Sequence, residues 1–109
     1  MGEPRETAAE FVRVARVGDL APGRGMVVVA KGIRVALFRH EDGTLYALRN
    51  QCPHMGGELG EGVLNGDIVT CPWHGWQFDV KTGRNPAAAL VAVRTFPVRV
   101  EGDEVYVGV

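Results

Sequence analysis

Cysteine is scarce in this chain of 109 residues: two are present, too few for a disulfide framework and better suited to ligand or free-thiol roles. Aromatic residues make up 7%. Long apolar runs are missing as well. Stretches such as Met26 to Ala30 fall far short of the ~20 residues that span a bilayer. Charge of one sign is not in excess either, since 12 basic residues face 13 acidic ones for a net charge of -1. With no Lys/Arg block, neither nucleic acid nor an anionic membrane is an expected partner. The opening MGEPRETAAE holds acids and no apolar stretch, unlike a secretory signal, so a soluble cytoplasmic protein is expected. The length suits one domain, 1–109, with no room for a catalytic domain beside a cofactor module.

Glycine is what the chain has in quantity, with 15 residues or about twice the usual share of roughly 7%. Glycine is costly inside helices and useful in tight turns, which points to short strands and many turns. Strand-like runs cover Phe11 to Val17, Met26 to Ala30, Ile33 to Arg39 and Thr44 to Leu48. Lys31-Gly32 and Asp42-Gly43 read as hairpin turns between them. Beyond the insert described next, Leu90 to Val93, Phe96 to Glu101 and Glu104 to Val107 complete the pattern. Pro86 to Ala89 could open a helical turn with proline at its first position. Residues 1–10 are polar and carry no motif.

Between Asn50 and Pro86 the texture changes to short apolar runs, Ile68 to Thr70 and Trp76 to Phe78, among many glycines. Asn65-Gly66 marks a tight hairpin there. Two blocks stand out, Cys52-Pro53-His54-Met55-Gly56-Gly57 and Cys71-Pro72-Trp73-His74-Gly75-Trp76. They contain both cysteines and two of the three histidines of the chain. Thiolate and imidazole are ligands for iron–sulfur clusters, zinc or copper. A tetrahedral Cys2His2 zinc site would use the same side chains, although zinc modules commonly pair Cys with Cys and His with His. A Cys–His hydrolase would leave one block unexplained. His40, before Glu41-Asp42-Gly43, reads as an exposed turn residue rather than a ligand.

The double pattern C-x-H…C-x-x-H, with CPH and CPWHGW as its halves, resembles the signature of Rieske [2Fe–2S] proteins. Phe78 to Arg84, Phe96 to Val100 and Glu104 to Val107 extend the similarity over roughly residues 11 to 109. The resemblance implies an all-β Rieske fold: an antiparallel sandwich or barrel-like base with a small inserted cluster-binding subdomain at about 50–86. It implies one cluster per chain, with Cys52 and Cys71 on one iron and His54 and His74 on the other. In such a centre two ferric irons, two sulfides, two thiolates and neutral imidazoles sum to zero charge. Adding an electron is then easier than in an all-cysteine centre. The histidine side would face solvent and serve as the electron exit, with reduction coupled to proton uptake at alkaline pH. Gly83 to Pro86 resembles the proline-bearing loop that covers the cluster. Phe78 and Trp76 read as core beneath the loops, while Met55 and Trp73 could shield the cluster or touch a partner.

Respiratory-chain members read C-x-H-x-G-C and C-P-C-H-G-S-x-Y, and their extra cysteines form a disulfide. Here Gly57 and Trp73 replace those cysteines, and Trp76 and Phe78 replace the Ser and Tyr whose hydroxyls bond to cluster sulfurs. Without those donors the potential should fall at the low end of the class span, about −150 to +300 mV. The chain is most similar to the soluble Rieske-type ferredoxins of aromatic-ring hydroxylating dioxygenase systems. That similarity implies a non-enzymatic electron carrier between an NADH-dependent flavin reductase and a terminal Rieske oxygenase. The alternative is the small Rieske-like subunit of an assimilatory NADH nitrite reductase, which would be bound to a large sirohaem protein. The oxygenase itself is excluded by counting. Its mononuclear iron needs two further histidines, and only His40 is left.

Overall fold

The computed structural model describes residues 10–52, 57–73, 75–88 and 90–109. Among these, ten strands form three antiparallel sheets. An outer sheet orders β1 (Phe11–Arg16), β10 (Glu104–Gly108) and β9 (Val98–Glu101) as β1-β10-β9. A central sheet runs β2-β3-β4-β8 from Gly25–Ala30, Ile33–Arg39, Leu45–Arg49 and Thr95–Phe96. A small third sheet, β5-β6-β7, is built from Val63–Asn65, Ile68–Thr70 and Gln77–Asp79.

The turns follow from local chemistry. Ala30 pairs with Ile33, so Lys31 and Gly32 are a two-residue hairpin loop, and both have positive φ (52° and 79°). Two left-handed residues in succession are what a type I′ turn requires to match strand twist. The β5–β6 hairpin is shifted by one residue from the expected Asn65-Gly66 turn: Asn65 pairs with Ile68, so the two-residue loop is Gly66-Asp67, and of these only Gly66 has positive φ (60°).

The central sheet is buried on both faces, which explains the unbroken apolar run in β3. Val35 and Leu37 enter one core with Ala47, Phe96, Val105 and Val107, against the outer sheet. Their neighbours Ala36 and Phe38 point the other way, into a second core with Leu48, Leu59, Val69, Phe78, Cys52 and Cys71. One sheet thus separates the base from the ligand-bearing region and supplies a wall to each.

Several boundaries differ from expectation. Val17 belongs to a 3-10 turn, Val17–Asp19, rather than to β1. Leu90 to Val93 is not a strand. Only Ala92 makes an isolated bridge, to Arg84, and Leu90 is fully exposed. The stretch from Phe96 to Glu101 breaks at Pro97, which lacks an N–H for a ladder. There the chain leaves the central sheet for the outer one. Among the described residues Pro86 to Ala88 no helical turn opens, and Ala89 lies outside the described residues. Asn85 Oδ1 instead accepts the backbone N–H groups of Ala87 and Ala88 at 2.8 and 3.0 Å, an Asx turn that competes with helix. Trp76 lies just before β7, and β4 begins at Leu45 and runs on to Arg49.

Candidate metal centre

Each cysteine is the residue at which a β-ladder opens into a loop. In the first loop Cys52 donates its backbone N–H to the carbonyl of Gly57 at 2.8 Å, next to a bridge between Gln51 and Glu58. In the second, Thr70 pairs with Gln77 at the end of β6–β7, and the Cys71 N–H donates to the Trp76 carbonyl at 2.7 Å. Both loops are therefore held closed at their bases by main-chain bonds.

Asn50 secures the first loop further. It is 3% exposed, and its Oδ1 accepts the Gly60 N–H at 2.8 Å while its Nδ2 donates to Glu58 Oε1 at 3.2 Å. Arg34 Nη2 reaches the same carboxylate oxygen at 2.6 Å and, with Asn50, holds the Glu58 carboxyl below the usual carboxylate range. Gly60 has no room for a side chain, since a Cβ would lie 2.4 Å from Val27 Cγ2. Asn50, Arg34 and Glu58 are absent from the residues singled out by sequence. A polar residue at the start of a Gly-rich loop gives no sign in the sequence that it is buried.

The two thiols share one core, each 1% exposed. Burial pushes the Cys71 thiol above its ordinary range. The adjacent Cys52 side chain adds to the shift, and the Trp73 N–H, 3.4 Å from Cys71 Sγ, opposes it. A Cβ on Gly57 would lie 2.9 Å from Cys71 Sγ and 2.9 Å from Trp73 Cγ. Glycine at this position is what allows the first loop to close against the second. A thiolate here is unfavourable alone and becomes favourable beside a cation, the logic of a metal-bound sulfur. Such burial also argues against a nucleophilic cysteine, which needs solvent access.

The structure thus brings Cys52 and Cys71 together. His54 and His74, with Met55, lie outside the described residues. Among the described residues no group of three or more His, Cys, Asp or Glu converges. Two adjacent buried thiols with a backbone N–H aimed at one sulfur fit an iron–sulfur centre on the cysteine side. Phe78 is fully buried in the same core and Trp76 packs against it. Trp73 is 51% exposed at the tip of the second loop. Pro86 is exposed and borders, with Gly75, Trp76, Gln77, Asn85 and Ala87, a recess between the second cysteine loop and the segment that follows Arg84.

His40 is not the exposed turn residue expected. Its side chain is 21% exposed, with Nε2 3.0 Å from Asp67 Oδ1 and Nδ1 3.3 Å from Asp42 Oδ1. Asp67 also meets Lys81 Nζ at 3.4 Å and holds that ammonium above its usual range. His40 therefore ties the end of β3 to the β5–β6 turn.

No helix among the described residues is long and apolar enough to cross a membrane. A family model described as the Rieske [2Fe–2S] domain matches residues 10–97. The ferredoxin component of biphenyl 2,3-dioxygenase from Rhodococcus jostii (strain RHA1) is 38% identical over 89% of this chain and 91% of its own length. A chain from a solved complex of reduced oxygenase and oxidized ferredoxin in carbazole 1,9a-dioxygenase superposes with a TM-score of 0.79 at 35% identity, covering 90% of this chain and 92% of its own. A chain from Mycobacterium tuberculosis, described as a putative NADH-dependent nitrite reductase small subunit, superposes with a TM-score of 0.87 at 27% identity, over 93% of this chain and 96% of its own.

Proposed function

This chain belongs to the Rieske [2Fe–2S] family, and from that premise we propose that it is a one-electron carrier between an NADH-dependent flavin reductase and a Rieske-type oxygenase. The family's cofactor is a Rieske-type [2Fe–2S] cluster. Cys52 and Cys71 would hold one iron and His54 and His74 the other, a division the donor chemistry supports. When bound, the cluster supplies a one-electron couple.

The chain's own residues contribute positioning, dielectric and access. Leu59, Val69, Phe78 and Val80 surround the cysteine side with apolar atoms and keep water from the sulfurs. The Trp73 N–H places a fixed partial positive charge at Cys71 Sγ, which favours negative charge on that sulfur. Gly57 keeps the space beside that sulfur free of side chain. Exposed Trp73, at the tip of the loop, is the element suited to brief contact with a partner.

The observation that carries the reading is the meeting of two buried thiols from separate loops in a chain that spans nearly the whole length of a dioxygenase ferredoxin component. The test is anaerobic purification followed by metal and sulfide analysis and a reductase assay. About two irons and two acid-labile sulfides per chain are expected, with rapid reduction by a separate flavoprotein. Zinc alone would overturn the reading.

The TM-score of 0.87 favours a second reading, a fixed subunit of a nitrite reductase. Stoichiometric co-purification with a large reductase chain would establish it in place of the free carrier.

A further inference from the structure

Strand β9 ends the outer sheet, and among the described residues its only ladder is the one with β10. The hairpin that joins these strands fixes which way the main chain of β9 points. Glu101 pairs with Glu104 across the two-residue loop Gly102-Asp103, with Gly102 at positive φ (67°). Further along, Gly108 donates its N–H to the Pro97 carbonyl at 2.9 Å. Both are hydrogen-bonded positions of the ladder, and such positions alternate along an antiparallel pair. Pro97, Arg99 and Glu101 therefore turn their main-chain groups toward β10, while Val98 and Val100 turn theirs away from it. Among the described residues no hydrogen bond reaches Val98 or Val100 from that outer side.

The side chains along this edge are self-complementary. Val100 is 45% exposed, although it shares a face with Val98, which packs against the base core. Arg99 and Glu101 project to the other face, both exposed, with Nε and Oε2 3.7 Å apart. An exposed pair at that distance contributes little within one chain. Free N–H and C=O groups, with an accessible valine flanked by opposite charges, form a template for another strand.

We propose that the β9 edge pairs with the β9 edge of a second copy of this chain, antiparallel about a two-fold axis at Val100. The charges select this register. An axis at Arg99 would set that residue against itself, and an axis at Glu101 would do the same, and like charges directly opposed are destabilising. An axis at Val100 sets Arg99 against Glu101 of the second copy, and symmetry repeats the pair. Val100 then exchanges both main-chain bonds with Val100 of the second copy, and Val98 comes opposite Gly102 of the second copy. The opposed valines prolong the apolar face of the base core. A recess lined by Leu45, Lys81, Pro97 and Val98 opens beside the strand, where the Gly102-Asp103 turn of the second copy would lie. The central sheet stands between the base core and the core that holds Cys52 and Cys71, so the joint lies on the far side of that sheet from the thiols. The pairing uses no residue of the metal centre and does not depend on the carrier reading.

The test is sedimentation velocity of the cluster-loaded full chain over about a hundredfold range of concentration. Wild type is expected to pass from the mass of one chain toward that of two as concentration rises, in a weak and reversible equilibrium because the strand is short. R99E and E101R each oppose like charges at both symmetric positions and should remain monomeric. An equimolar mixture of R99E with E101R restores opposite charges across the joint and should form a mixed dimer. As controls, R24E and E61R make the same charge changes at exposed positions off the outer sheet, and each should dimerise like wild type. V100P removes the outward N–H and leaves the β10 ladder intact, since proline is tolerated where a strand faces solvent. It should be monomeric, with visible and far-UV CD spectra unchanged. Wild type that stays monomeric throughout, a spectrally normal V100P that still dimerises, or controls that lose the dimer would each overturn the proposal. The mixture decides alone if V100P folds poorly: failure of R99E and E101R to associate with one another would overturn the joint.

Discussion

Asn50 Oδ1 accepts the backbone N–H of Gly60 at 2.8 Å, a buried bond that joins the start of the first cysteine loop to the turn that ends it. The same side chain donates to Glu58, so a single amide fastens three points of the loop. Asn50→Ala would leave the Gly60 N–H buried without this partner. A loss of about 1–3 kcal/mol is expected, read as a lower chemical-denaturation midpoint together with faster loss of visible absorption on storage.

Glu58 gives the loop a pH dependence. Its folded-state carboxyl is depressed by Arg34 and Asn50, so its contribution is fully present above the unfolded-state value of ~4.3 and fades as pH falls through the lower folded-state value. Wild type should therefore melt above Glu58→Gln near neutrality, and the gap should narrow as acid is added below that value. Thermal midpoints measured from pH 6 downward check this. A gap that widens in acid would contradict it.

Removal of either thiol should remove the cofactor. Cys52→Ser and Cys71→Ser are each expected to purify with iron and acid-labile sulfide well below half the wild-type amounts and without the visible chromophore. Hydroxyl is a poor substitute for thiolate toward iron. A variant retaining full iron and sulfide would displace that cysteine from the ligand set.

The potential should lie below about 0 mV, in the lower part of the class span. Phe78 is fully buried beside the cysteines and brings no hydroxyl. Phe78→Tyr should raise the potential by ~20–65 mV if the new bond favours the reduced state by about 0.5–1.5 kcal/mol. Spectroelectrochemical titration of both proteins decides the point, and a wild-type value near the top of the span would defeat the reasoning.

Gly83 occupies the turn after β7 with φ of 79°, and a Cβ there would sit 2.1 Å from the Val93 carbonyl oxygen. Gly83→Ala combines left-handed strain with a main-chain clash and should cost about 2–4 kcal/mol. Urea unfolding is the measurement. A change under 0.5 kcal/mol, the range of an ordinary surface substitution, would mean the turn can relax.

The sequence by itself determined the local grammar and the donor inventory. Lys31-Gly32 and Gly66 announced their hairpins because positive φ is a property of one or two residues, although the second turn falls on Gly66-Asp67 rather than Asn65-Gly66. The two Cys/His blocks announced metal chemistry because few side chains bind soft ions. Only the tertiary structure decided that Cys52 and Cys71 meet in a single buried core, that Gly57 must be small for this to happen, and that Asn50 is buried while Leu90 is exposed. It also decided that Arg49 and Arg94, unremarkable along the chain, face one another across β4 and β8. The physical reason is range. Turn chemistry acts over two to four neighbours, whereas burial, charge opposition and close approach depend on which distant strands pair and which way their side chains point, and no short window of residues contains that information.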